Sequence, residues 1–255
     1  MDIKNFLEND DIPHIDEFTS YKKDFLLNCI PSKNKEEFNE KGYRSDSFLK
    51  KGHLNILSIG CSDVFGLGLN KEERFSDLFC RYLKDKTSKE INNFNLGLPG
   101  KSNDYISRNI ISTFNMLKPN IVIICFTRII RREFFDKDGK CIDFLPNHDN
   151  FKNMFIYESF NLLSNKNNDL INFYKNYKLI YEFLKSKKTI MFFTLSLNTK
   201  GNLVGLEDIE NIIDKKNYIG YFDWIDNSDK HHPGIKSNYL LFEKIVNKQK
   251  EFGFI

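Results

Sequence analysis

Ile121-Val122-Ile123-Ile124-Cys125-Phe126 is the segment that most narrows the folds open to this chain. Six apolar residues in a row, mostly β-branched, leave no polar alternation. Both faces of such a strand must be covered, which is the condition of a central strand in a parallel sheet. Further β-type runs flank it at Leu54 to Ile59, Ile91 to Leu96 and Thr189 to Ser196, with Tyr218 to Ile225 as a last short strand. Helical patterns lie between them. Lys71 to Lys84 places Phe75, Leu78, Phe79 and Leu83 on one face. Ser102 opens a helix to about Leu117 with Ile106, Ile110, Ile111 and Phe114 as its stripe, stopped by Pro119. Asp169 to Lys185 and Ile235 to Lys250 read as two more helices. Alternation of this kind predicts the α/β class: a three-layer α/β/α sandwich on a mostly parallel, flavodoxin-like sheet with right-handed crossovers.

The chain has 255 residues, and residues 54–255 account for this pattern as one domain, with loop-rich excursions near 128–165 and 199–218. The first excursion carries a turn signal at Lys137-Asp138-Gly139-Lys140, and the second a short helix. Residues 1–53 hold few periodic apolar positions and are expected to form an N-terminal arm packed on the core. The formal net charge of +3 and the lack of a Lys/Arg stripe with interleaved aromatics argue against a nucleic-acid partner. Lys185 to Lys188 reads as a solvated helix end. Five cysteines, an odd number without a Cys-x-x-Cys pair, suggest reduced thiols. The first residues form no apolar signal core and no apolar run reaches membrane length, so a cytoplasmic protein without a membrane span is expected.

In an open parallel sheet, ligands bind outside the carboxyl ends of the strands. Ser62 follows the first strand, and Gly60 permits a tight turn that exposes it. At the far end of the chain, Asp229 stands three residues before His232, just ahead of the last helix. A serine hydroxyl is a poor nucleophile until a base takes its proton, and an imidazole serves best when a carboxylate holds it. Between these parts, Asn95-Leu96-Gly97-Leu98-Pro99-Gly100 ends the second strand with glycines that free backbone N–H groups for an oxyanion. Taken singly, each feature has an ordinary reading: a capping Ser, a βα turn, a surface His. His231 and His232 also form a candidate metal pair, but no further ligands stand at metal spacing, so no metal and no organic cofactor are expected.

The order Gly-x-Ser, then Asn-x-Gly-x-x-Gly, then Asp-x-x-His-Pro resembles the SGNH (GDSL) hydrolase superfamily over about residues 54 to 245. The resemblance implies the same α/β/α sandwich. It makes Ser62 the nucleophile, with Cys61 in place of the usual Asp of Gly-Asp-Ser. It makes Gly100 an oxyanion-hole N–H donor flanked by Asn95 and Gly97, His232 the base, and Asp229 its orienting acid. Gly42-Tyr43-Arg44-Ser45 looks like a short element found upstream of the first block in some phage-like and bacterial members. The family's third block, Gly-x-Asn-Asp, is missing. The strand instead runs on through Thr127, Arg128, Ile129, Ile130, Arg131, Arg132 and Glu133, and some divergent members carry a Thr followed by Arg and Glu there. Thr127 would then donate to the oxyanion, or Arg128 or Arg131 would supply positive charge. Arg131 pairing with Glu133 is the structural alternative.

The expected function is a serine esterase acting on a small-molecule ester such as an O-acetylated carbohydrate. Two alternatives stand beside it. One is a non-catalytic SGNH-like binding or structural module with a degenerate oxyanion hole. The other makes Cys61 the nucleophile, and is disfavoured because a residue adjacent to Ser62 is expected to point elsewhere.

Overall fold

The computed structural model describes residues 26–50, 52, 54–135, 137, 141–144, 158, 162, 164–196, 206–229 and 231–253. Five strands, β1 (Leu54–Ile59), β2 (Ile91–Asn95), β3 (Ile121–Phe126), β6 (Ile190–Ser196) and β7 (Tyr218–Phe222), form one sheet in the order β2-β1-β3-β6-β7. Every pair in it is parallel. Two more strands, β4 (Arg132–Phe135) and β5 (Cys141–Phe144), pair antiparallel outside it. The helices are α1 (Ser62–Phe65), α2 (Phe75–Thr87), α3 (Asn103–Leu117), α4 (Lys166–Ser186), α5 (Leu206–Ile212) and α6 (Ile235–Glu251). With the hairpin set aside, the strand order is that of the flavodoxin-like doubly wound sheet, whose ligand crevice opens beside its first and third strands.

The apolar run that opened the sequence reading is the middle strand, and its alternate residues divide between two cores. Val122, Ile124 and Phe126 face α3 and α4, packing with Ile106, Ile110, Phe173, Tyr177 and Ile180. Ile121, Ile123 and Cys125 face α2 and α6, packing with Phe75, Phe79, Leu83, Leu241 and Ile245. No helix among the described residues is long and apolar enough to cross a membrane.

Two expected elements end differently from the periodicity, each for a visible reason. The helix expected from Lys71 splits into a 3-10 turn, Lys71–Glu73, and α2, with Arg74 extended between them. The Arg74 side chain is buried, donating to the Arg44 carbonyl at 2.9 Å and to Asp77 at 2.7 Å, and the Phe75 N–H is received by Asn238 of α6 at 3.1 Å. The last strand stops at Phe222 because the chain turns to cap α6. There Ile225 N–H donates to Ser237 Oγ, and Lys236 and Ser237 N–H donate to the Asp226 carboxylate. Of the turn expected at 137–140, only Lys137 is among the described residues, as are parts of both excursions.

Residues 26–50 lie on the α3 side, where Leu26, Leu27, Ile30, Phe38, Tyr43 and Phe48 join that core. Arg44 is fully buried. It pairs with Glu37 at 2.6 Å and donates to the carbonyls of Gly66 at 2.8 Å and Leu69 at 2.7 Å, so the arm braces the turn that follows Ser62. Removing one partner of a buried pair leaves the other charge without compensation. Arg44→Ala is therefore expected to destabilise the fold by about 3–5 kcal/mol in a urea titration, whereas a surface change such as Lys84→Ala stays within about 0.5 kcal/mol.

Candidate active site

Ser62 is the first residue of α1, directly beyond the carboxyl end of β1, and is 8% exposed. Asn95, at the end of β2, fixes this short helix. Its amide donates to the Val64 carbonyl at 2.7 Å and its Oδ1 accepts the Gly97 N–H at 2.8 Å. A Cβ on Gly97 would sit 2.4 Å from the Phe65 nitrogen, so only glycine lets the two turns meet. Asn95 thus spends its side chain on backbone beneath the site. Gly100 has φ 78°, in the left-handed region, and its N–H and that of Ser62 have no acceptor among the described residues. Both donors are free for a ligand oxygen.

The third wall comes from the loop after β3. Thr127 is locked by Asn103, which accepts its N–H at 2.9 Å and donates to its carbonyl at 3.1 Å. Arg131 reaches across the site. Its Nη1 donates to Thr127 Oγ1 at 2.9 Å, to Cys61 Sγ at 3.1 Å and to the Lys101 carbonyl at 3.4 Å. Glu133 is not its partner, since Arg108 holds that carboxylate by two bonds of 2.8 and 2.6 Å. The Cys61 thiol does not point away from Ser62: Cys61 caps α1 with φ −102° and ψ −144°, and its Sγ lies 3.3 Å from Ser62 Oγ.

Asp229 and His232 arrive on the loop before α6. His232 Nδ1 lies 2.9 and 3.0 Å from the two Asp229 oxygens. A carboxylate there selects the Nδ1–H tautomer, and Nε2 has no partner among the described residues. Partial burial pushes the Asp229 carboxyl up, but the His231 N–H and the His232 ring outweigh it and hold it below the ordinary range. The loop docks on the turn after α1, where Ser228 Oγ donates to the Leu67 carbonyl at 2.6 Å and Ser228 N–H to the His232 carbonyl at 3.0 Å. Ser62 and His232 form no hydrogen bond to each other; the Ser62 hydroxyl bonds to Cys61 instead.

Asp63 was not singled out from the sequence. It follows Ser62, is 4% exposed, and accepts a hydrogen bond from Ser196 at the end of β6. Burial pushes its carboxyl up to about 6, while the charges of His232, Arg131 and Arg128 pull it back down. Residue type and position were legible, but burial of the carboxylate depends on partners far away in sequence, such as Ser196 at the end of β6.

No protein-family profile and no curated protein matches the chain. Solved structures do. A two-domain esterase, CEX, active on acetylated mannans, aligns with a TM-score of 0.51 at 17% identity, covering 78% of this chain and 49% of that one. A protein described as a candidate lipolytic member of the G-D-S-L family, from Desulfitobacterium hafniense DCB-2, aligns at 0.50 and 15%, covering 77% and 99%. TesA aligns at 0.50 and 13%, covering 77% and 98%. At these identities the likeness shows the fold alone, an α/β architecture that the chain shares with these three proteins.

Asp63 supplies a pH test. Its pKa is about 6 folded against 3.8 in the reference state, so the folded protein favours the protonated form. That preference is fully present below about pH 4 and is lost as pH rises through 6, a cost of roughly 3 kcal/mol at neutral pH. Asp63→Asn is expected to match wild type near pH 4 and to exceed its stability by up to that amount at pH 7.5, read from urea unfolding at both pH values. Parallel pH profiles for the two proteins would show that Asp63 is not desolvated.

Proposed function

We propose that this protein is a serine esterase in which His232, oriented by Asp229, activates Ser62. The observation that carries the reading is the Asp229–His232 pair. It sits on a loop docked against the turn after Ser62 and leaves Nε2 free. In the reaction the Ser62 hydroxyl turns from Cys61 to offer its proton to that nitrogen, a contact that resting sites often lack.

The reaction follows from the groups present. His232 Nε2 takes the Ser62 proton as Oγ attacks the ester carbonyl. The developing oxyanion is received by the N–H groups of Ser62 and Gly100 and by the guanidinium of Arg131, which is aimed by Thr127 and takes the place of the absent asparagine. His232, now an imidazolium stabilised by Asp229, protonates the leaving alcohol. Water enters by the reverse path, deprotonated by His232, and releases the acid. A small acyl group on a carbohydrate is the substrate class we favour; CEX, which shares the fold, is active on acetylated mannans.

A fluorophosphonate probe is expected to label the wild-type protein and not Ser62→Ala, with short-chain aryl ester turnover lost in the same variant. Absence of both labelling and turnover in wild type would favour the non-catalytic module. Labelling that survives Ser62→Ala would move the nucleophile, with Cys61 the first residue to examine. Arg131→Met is expected to lower kcat about 10²–10³-fold with a smaller effect on KM, the signature of a lost oxyanion contact.

A further inference from the structure

Five cations crowd the edge of the sheet where the site lies, and they divide into two groups. Lys101 is paired with Asp143 at 2.6 Å, Arg108 with Glu133 at 2.6 Å, and Arg132 with Asp169. Arg128 and Arg131 have no carboxylate partner among the described residues. The unpaired two belong to the loop directly beyond β3, and Arg131 touches Cys61 beside the nucleophile. Arg131 is half-buried and bonded only to neutral acceptors through Nη1, so its Nε and Nη2 remain open. Buried Asp63 forms no ion pair with either arginine; its hydrogen bond comes from Ser196. Asp229 is committed to His231 and His232.

A guanidinium left without a counter-ion beside a reacting centre, when its neighbours on the same edge are all paired, is placed to meet a charge that the ligand brings. The planar fork of donors fits a carboxylate by two parallel bonds. We infer that the substrate of this site carries a carboxylate, as an acylated acidic sugar does, and that Arg128, exposed on the loop beyond β3, receives it while Arg131 serves the oxyanion. This rests on the esterase reading for the site's location, though its test does not need turnover.

Ser62→Ala protein, full length, is titrated calorimetrically at low salt with galacturonate, galactose and galactose 6-phosphate. Galacturonate is expected to bind at least about tenfold tighter than galactose, and Arg128→Gln in the same background to reduce that preference to under about threefold. Equal binding of galacturonate and galactose overturns the inference, as does a preference that survives Arg128→Gln. Tighter binding of the sugar phosphate than of the uronate overturns the assignment to a carboxylate. Wild type is assayed in parallel on nitrophenyl acetate and nitrophenyl hemisuccinate. Turnover of both without an anionic preference, together with equal sugar binding, sinks this inference and leaves the esterase standing. Carboxylate-selective binding without turnover of any ester supports the inference and sinks the esterase reading.

Discussion

The buried amide of Asn95 is the joint on which the site depends. Its backbone N–H is taken by Ser45 Oγ of the arm, its side-chain N–H by the Val64 carbonyl of α1, and its Oδ1 by the Gly97 N–H. Three segments far apart in sequence are thereby held at one point, with all of these groups out of water. An amide in that position has no solvent to fall back on, so each lost partner costs about 1–3 kcal/mol. The direction in which Ser62 leaves β1 is set by this joint and by the close contact at Gly97, not by the preferences of a four-residue helix.

Around that joint the sheet acts as a frame that brings loops together at its carboxyl edge. The turn after β1 delivers Ser62, the turn after β2 delivers Gly100, the loop after β3 delivers Arg131, and the loop before α6 delivers His232. Each is tied by side chain to backbone: Arg44 under the first, Asn95 on the second, Asn103 on the third, Asp226 and Ser228 at the fourth. The β4–β5 strands carry ion pairs with Lys101, Arg108 and Asp169, while Arg128 and Arg131 have no carboxylate partner among the described residues.

The frame was legible in the sequence because burial on both faces leaves a pattern no loop imitates. Ile121 to Phe126 is the strand its apolar run predicts, and the stripes of Ile106 and Ile110 and of Phe79 and Leu83 lie in the two cores. The β4–β5 hairpin was not legible, because its residues are half-polar and are held by partners such as Lys101 and Asp169, which lie far away in sequence. The break at Arg74 was hidden for a related reason. A buried guanidinium looks like any helix-surface arginine until the carbonyls of Arg44 and Phe65 receive it. At the site, residue types and their order could be read. The contact between Cys61 and Ser62 and the burial of Asp63 could not, since both are set by the turn that Asn95 holds.

A crystal structure of the protein after reaction with an alkyl phosphonate ester would test the central claim most directly, because the adduct mimics the tetrahedral intermediate. The account predicts phosphorus on Ser62 Oγ, with the phosphoryl oxygen within about 3 Å of the N–H groups of Ser62 and Gly100 and of the Arg131 guanidinium, and His232 Nε2 turned to the leaving side. Phosphorus on another residue, or an adduct on Ser62 whose oxygen meets neither backbone N–H, would contradict it.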